Sequence, residues 1–235
     1  MLFYYIRHGD PTYEPDALTP LGERQAEAIA KRLSHYGIDK IYSSTSNRAI
    51  MTAKPTCEIL KKDMTLLEFC HEDLTSVDFG ITENGKWRWP GDNNDLRRIF
   101  DSDEVLSLGQ NWFEHPRLSH MKAGVDRIYK ESYEFFKSLG YEHIGNTGKY
   151  KVLWDNPERV ALFAHHRFGI AFFSCMLGIP YPVMSNLFSM CHTGMTVVDF
   201  RNEDGIAVPV VLSWSSDGHI YKEGLPTHYN REIYF

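Results

Sequence analysis

The chain has 235 residues, enough to bury one full core, or one core with a large insertion, without requiring a second domain. Hydrophobic residues make up 43% and charged residues 24%, the balance of an ordinary globular chain rather than a disordered or fibrous one. A formal charge of −6 excludes a broad nucleic-acid footprint, which needs lysine and arginine clustered on one face, yet allows a local basic pocket.

Met1 leads directly into Leu2-Phe3-Tyr4-Tyr5-Ile6, which reads as a buried first strand and not as the basic-then-apolar start of a signal peptide. The strand opens into Arg7-His8-Gly9-Asp10, placing a guanidinium and an imidazole at a glycine turn, where open α/β sheets bind ligands. After a turn-rich stretch over 11–18, Thr19 is placed to cap a helix and Pro20 suits its first position, where an N–H would be unpaired anyway. Ala26, Ile29, Ala30 and Leu33 recur at helical spacing, and Gly37 closes the helix. A short second strand is expected over 38–42, ending in the hydroxyl-rich Ser43-Ser44-Thr45-Ser46. A second helix follows over 47–60 on Ala49, Ala53, Cys57 and Leu60. Pro55 inside it costs about 3 kcal/mol unless the helix kinks or restarts, so a kink is expected.

Periodicity fades over 70–117, where Gly80, Gly85, Pro90, Gly91, Asn93, Asn94 and Gly109 punctuate tryptophans and charges. Long irregular segments are commonly lids or binding loops, and this one is expected to be a cap-like insertion in a single domain spanning 1–235. The stripe Met121, Val125, Ile128, Tyr129, Ser132, Phe135, Phe136 and Leu139 then predicts a helix closed by Gly140. Residues 160–164 form a continuous apolar run, as in a central strand buried on both faces, with His165 and His166 directly after it. Residues 168–177 read as a buried helix stopped by Gly178 and Pro180, and the apolar stretch 169–179 is too short to span a bilayer. Residues 195–200 and 208–214 form a predicted strand pair joined by a turn near 202–205.

Cys57, Cys70, Cys175 and Cys191 lie far apart with no Cys-x-x-Cys pair, which predicts free thiols and a cytoplasmic protein. Neither Cys70-His71 nor Cys191-His192 has the ligand spacing of a structural metal site, so no metal or cofactor is expected. The order of elements predicts a three-layer α/β/α sandwich with a mostly parallel sheet, an antiparallel edge and a cap insertion. In that fold Arg7-His8, the segment 43–48 and His165-His166 all gather at one sheet edge. Two planar guanidiniums, Arg7 and Arg48, suit phosphate oxygens, His8 and His165 supply imidazoles, and Glu68 follows the apolar run Thr65-Leu66-Leu67.

These motifs resemble the histidine phosphatase superfamily, the phosphoglycerate mutase-like fold with the Arg-His-Gly signature. The match runs in family order through Tyr5-Ile6-Arg7-His8-Gly9-Asp10, Leu18-Thr19-Pro20-Leu21-Gly22-Glu23-Arg24-Gln25-Ala26, Ile41-Tyr42-Ser43-Ser44, Arg48-Ala49, Thr52-Ala53, Leu67-Glu68, and the strand before His165. The resemblance implies a metal-independent phosphatase in which His8 is the phosphorylated nucleophile, and Arg7, Arg48 and His165 form the phosphate pocket. It makes Glu68 the expected proton donor, with Glu72, Asp73 and Asp78 as competitors. A small phosphorylated molecule is the expected substrate, with neither nucleic acid nor membrane as partner.

Three departures from the family pattern bear on the site. His166-Arg167 stands where a small residue often follows the second histidine, which leaves His166 either a pocket residue or a packed one. Asp10-Pro11-Thr12-Tyr13 replaces the usual Glu-Thr stretch, making Tyr13 a candidate substrate contact. Ser44-Thr45-Ser46-Asn47 lacks the usual proline. Cys191-His192-Thr193-Gly194 precedes a strand in a region the family uses near phosphate, so His192 and the amides of Thr193 and Gly194 are candidate donors. Trp87, Arg88, Trp89, Arg97 and Arg98 are candidates to shape an entrance. Phosphoglycerate mutase-type transfer and non-catalytic binding of a phospho-ligand are the competing readings.

Overall fold

The computed structural model describes residues 1–83, 86–90, 93–230 and 233, with backbone alone for 82, 83, 86 and 87. Its first half runs β1 (Leu2–Arg7), β2 (Pro11–Tyr13), β3 (Asp16–Leu18), α1 (Pro20–Tyr36), β4 (Lys40–Ser44), α2 (Asn47–Leu60) and β5 (Met64–Leu67). Then come α3 (Glu72–Phe79), β6 (Ile81–Glu83), β7 (Lys86–Arg88), α4 (Asn94–Phe100), α5 (Asp103–Ser107) and α6 (Lys122–Ser138). The remainder is β8 (Tyr141–His143), β9 (Tyr150–Val152), β10 (Arg159–Ala164), α7 (His166–Leu177), α8 (Tyr181–Leu187), β11 (Met195–Asp199), β12 (Asn202–Glu203), β13 (Ile206–Ala207), β14 (Val210–Ser216) and α9 (Gly218–Lys222).

The main sheet has the order β14-β11-β1-β10-β4-β5. β1, β10, β4 and β5 are parallel, while β11 and β14 form the antiparallel edge. Side chains of a strand alternate between faces, and here the alternation separates two cores. Phe3, Tyr5, Val160, Leu162 and Ala164 face one cluster with Phe136, Phe168 and Phe172 of α6 and α7. Tyr4, Ile6, Ala161 and Phe163 face the other, with Ile29 and Leu33 of α1 and Ala53 and Cys57 of α2. A sheet covered on both faces is the expected sandwich.

Local signals fix the two helices that flank β4. Thr19 caps α1 by accepting from the Gly22 amide, Pro20 begins it, and Gly37 ends it at φ 71°. α2 runs unbroken through Pro55, so the helix does not restart there, and its buried residues Thr52, Ala53, Thr56 and Cys57 continue across that point. The sequence pattern misses a second sheet, β12-β13-β9-β8, whose strands are two or three residues long and carry too few alternations to register.

Residues 70–117 are less irregular than their pattern implies. They hold α3, a β6–β7 hairpin, α4, α5 and 3-10 turns, each helix eight residues or shorter and so below the length at which periodicity is legible. Aromatic packing ties them down: Phe79, Phe100 and Trp112 surround Tyr181 of α8 at ring-centroid distances of 4.6, 5.8 and 5.4 Å. All four cysteines are buried and unpaired. No helix among the described residues is long and apolar enough to cross a membrane.

Two glycines let the turn after β1 meet the start of α1. A Cβ on Gly22 would stand 2.1 Å from the Asp10 carbonyl oxygen, and one on Gly9 would stand 2.7 Å from the Gly22 carbonyl oxygen. Gly22→Ala is therefore expected to force the backbones apart and lower unfolding free energy by at least about 1–3 kcal/mol, the usual range for overpacking. Urea denaturation measures it, and a midpoint equal to the wild type would contradict the close approach.

Candidate active site

The sheet edge at the C-terminal ends of β1, β4 and β10 brings three separate segments together. Arg7 lies beside Ala164 and Ile6 beside Met195, so the residues after β10 and those before the antiparallel β11 both border the Arg7-His8 turn. The His8 backbone is held on both sides, its amide donating to Ala164 O (2.9 Å) and its carbonyl accepting from the Thr193 amide (3.2 Å). The Gly9 amide donates to Thr52 Oγ1 (3.0 Å) and the Asp10 amide to Gln25 Oε1 (2.9 Å), which fastens the turn to α2 and α1.

His8 Nδ1 lies 2.8 Å from Gly9 O. A carbonyl only accepts, so Nδ1 carries the proton and Nε2 presents its lone pair. Burial, then Arg7 and His165, hold the His8 imidazole well below its ordinary 6.5, keeping it neutral. Arg7 is buried, with Nη1 donating to Met190 O (2.5 Å) and Nη2 to Asn230 Oδ1. Burial lowers Arg7 to about 10, which leaves it cationic at neutral pH. Arg48 Nη1 pairs with Asp16 Oδ1 (2.8 Å), Nη2 donates to His165 Nδ1 (3.2 Å), and the guanidinium stacks 5.4 Å from the Tyr13 ring centroid.

His165 is fully buried, its ring centroid 5.2 Å from that of His8. Because Arg48 donates to its Nδ1, the proton sits on Nε2, which faces Ser44 Oγ (2.9 Å) and Ser46 Oγ (2.8 Å). Burial and Arg48 push this imidazole far below 6.5. Above these groups opens a cavity of about 940 Å³, lined by Arg7, His8, Arg48, Glu72, His166 and His192 among others. Glu72 caps the N-terminus of α7, accepting from the Arg167 and Phe168 amides (3.2 and 3.0 Å). Burial raises its carboxyl despite those two bonds.

Residues 3–104 match the family model described as histidine phosphatase superfamily (branch 1). The likeness in sequence to that superfamily thus rests on the N-terminal part of the chain. A phosphoserine phosphatase from Entamoeba histolytica, in complex with 3-phosphoglyceric acid, has a TM-score of 0.58 at 20% identity, over 93% of this chain and 98% of its own. A mycobacterial glucosyl-3-phosphoglycerate phosphatase gives 0.59 at 18% identity, over 92% and 98%. At these identities the likeness is one of fold, and it extends across nearly the whole chain. No curated protein sequence matches the chain.

Within this histidine phosphatase fold the expected site residues are distributed unevenly. Arg7, His8, Arg48, Tyr13 and His192 line the cavity, although Tyr13 is 62% exposed. His165 lies beneath that lining, and the neighbouring His166 occupies the wall, pushed down to about 3 by burial and Arg7. Glu68 sits at the sheet edge after β5, exposed and accepting from Thr45 Oγ1 (2.7 Å), and among the described residues the carboxylates lining the cavity are Glu72 and Asp10. The amides of Thr193 and Gly194 are already committed to His8 O and Cys191 O, so they brace the turn instead of facing the cavity. Trp89, Arg97 and Arg167 line the wall, and the Trp87 side chain lies outside the described residues.

The sequence pattern also misses Asp16, which holds Arg48, and the C-terminal Asn230, which holds Arg7. Short polar stretches give no periodic signal for either. His192 Nδ1 lies 3.3 Å from Asp10 Oδ1, with burial pushing the imidazole down to about 2. The described residues contain no cluster of three or more His, Cys, Asp or Glu suited to a metal ion.

Seven imidazoles, those of His8, His120, His143, His165, His166, His192 and His219, are held below 6.5, in each case first by burial. The unfolded chain then binds more protons below that value, so stability rises with pH through it and is lost as pH falls. Glu72, raised in the fold, opposes this as one group against seven. Unfolding free energy is expected to drop between about pH 7.5 and about pH 5.5, by up to ~1.4 kcal/mol per pH unit for each histidine. Denaturant titrations over that range test it, and a flat or rising stability on acidification would mean these imidazoles are not held neutral.

Proposed function

We propose that the chain hydrolyses phosphomonoesters through a phosphohistidine formed on His8. The carrying observation is a neutral, cavity-lining imidazole whose Nδ1 proton is fixed on Gly9 O while two guanidiniums stand beside it. Arg7 and Arg48 bind the non-bridging phosphate oxygens and neutralise the charge spread over them in transfer. His165 acts in the same pocket by fixing the orientation of Arg48. His8 Nε2 attacks phosphorus in line with the leaving oxygen, forming an N–P bond as the P–O ester bond breaks.

The leaving alkoxide needs a proton, and Glu72 is the residue suited to give it. A raised carboxyl stays protonated further toward neutrality, and Glu72 lines the cavity with His8 whereas Glu68 does not. After the alcohol departs, the Glu72 carboxylate takes a proton from water, whose oxygen attacks phosphorus and restores neutral His8. Residues 70–117 serve as the cap in this reading. Hydrolysis is preferred to mutase-type return of the phosphoryl group because the mutases' long signature around the first histidine is missing from 10–13.

Phosphate release from a panel of phosphomonoesters, with His8→Ala as control, tests the reaction, and His8→Ala at wild-type rate would refute it. Glu72→Gln is expected to lower kcat on alkyl phosphates by about 10²–10⁴, the range for general acid catalysis, and much less on aryl phosphates whose leaving group needs no proton. Glu68→Gln is expected to stay within about twofold of wild type on both, as for an exposed residue outside the site. The reverse pattern would return the proton donor to Glu68.

A further inference from the structure

We infer that the substrate carries a second anionic group, a carboxylate or another phosphate, and that Arg97 receives it. The inference rests on the proposed phosphatase reading and concerns the part of the cavity that reading leaves unused. A phosphoryl group engages Arg7, His8 and Arg48, yet the cavity of about 940 Å³ continues to a wall built from Asn94 and Arg97 of α4, Arg167 of α7 and Asn186 of α8. Such a volume suits a whole small molecule and greatly exceeds one phosphate.

The cation balance of the wall points to an anion. Arg167 has local partners, with its guanidinium 5.0 Å from the Trp89 ring centroid and Nη1 donating to Ser76 Oγ (3.3 Å). Among the described residues the Arg97 guanidinium has no hydrogen bond or ion pair, although it is half-buried and lines the cavity. Its neighbour Arg98 instead pairs with Asp95 at 3.6 Å, so α4 offers one satisfied arginine to the outside and one unsatisfied arginine to the cavity. The described lining carboxylates do not answer it: Glu72 is bonded to the α7 amides, and Asp10 lies against His192 and accepts from Thr19.

The same small segment ties together the two elements that carry the cationic poles. Asn186 Nδ2 donates to Arg97 O (2.9 Å), and Met190 O accepts from Arg7 Nη1 (2.5 Å). Four residue steps separate Asn186 from Met190, and an extended chain spans at most ~3.3–3.6 Å per residue, so these anchors are no more than about 14 Å apart. Arg7 and Arg97 line the same cavity, so one molecule that fills it meets both. The guanidinium fork of Arg97 fits a carboxylate or phosphate in a two-bond geometry that a lysine ammonium does not reproduce.

The test compares a phosphorylated hydroxy acid with its own primary amide, an alkyl bisphosphate with the matching monophosphate alcohol, and an aryl phosphate as reference. Wild-type kcat/KM is expected to favour the acid over its amide, the bisphosphate over the alcohol, or both, by at least about tenfold, as expected when one hydrogen-bonded charged contact is lost. In Arg97→Ala that ratio is expected to fall to within about twofold of unity, mainly through KM, and Arg97→Lys is expected to restore part of it. The ratio is taken within one preparation, so a loss of folded protein cancels. Equal use of the charged and neutral members of both pairs by the wild type, or an unchanged ratio in Arg97→Ala, would overturn the inference. Such a result with His8-dependent aryl phosphate turnover would leave the phosphatase reading standing, whereas no turnover of any ester would remove both.

Discussion

Arg7 takes a full positive charge into the end of a buried strand and, among the described residues, bonds only to neutral acceptors, Met190 O and Asn230 Oδ1. A buried ion without an opposite charge costs several kcal/mol, and among the described residues the Arg7 Nε has no hydrogen-bond partner. Much of the surrounding architecture makes sense as support for that charge. Its field helps hold His8, His166 and His192 neutral, and Asp10 and Asp16 answer His192 and Arg48 rather than Arg7. The site is thus left short of one negative charge at the place where a phosphoryl group would sit.

Keeping that arrangement rigid falls to groups that never face the cavity. The Gly9–Gly22 approach, the bonds from the turn to Thr52 and Gln25, and the Thr193 amide on His8 O fix the backbone from three elements. The final turn before β11 is itself braced, with the His192 amide donating to His228 O and His219 Nε2 meeting Thr193 Oγ1. A side chain positioned in this way loses little freedom when it reacts, which is how orientation lowers a barrier.

Much of the sheet edge was legible because its signals are local. Five apolar residues before Arg7, a Thr-Pro helix start and the run ahead of His165 each read correctly from neighbours in sequence, and their parallel order predicted where they converge. Which carboxyl borders the cavity was less legible, since one acidic residue in an aperiodic stretch has no pattern to distinguish it. Glu68, expected from its place after β5, lies exposed in the 3-10 turn over Glu68–Cys70, while Glu72 in the first turn of α3 accepts from the first amides of α7. Asn230 and Asp16 were invisible for a related reason: each meets its arginine across a long stretch of sequence, 223 and 32 residues away.

The central claim is that a neutral His8 takes the phosphoryl group. Rapid quenching of the enzyme during turnover, at alkaline pH where a phosphorus–nitrogen bond survives, followed by peptide mass spectrometry, tests it most directly. A phosphoryl group on the peptide containing His8, located on its Nε2, is the predicted result. Phosphorylation of any other residue, or turnover with no covalent intermediate under conditions that trap one on a control phosphohistidine enzyme, would contradict the account.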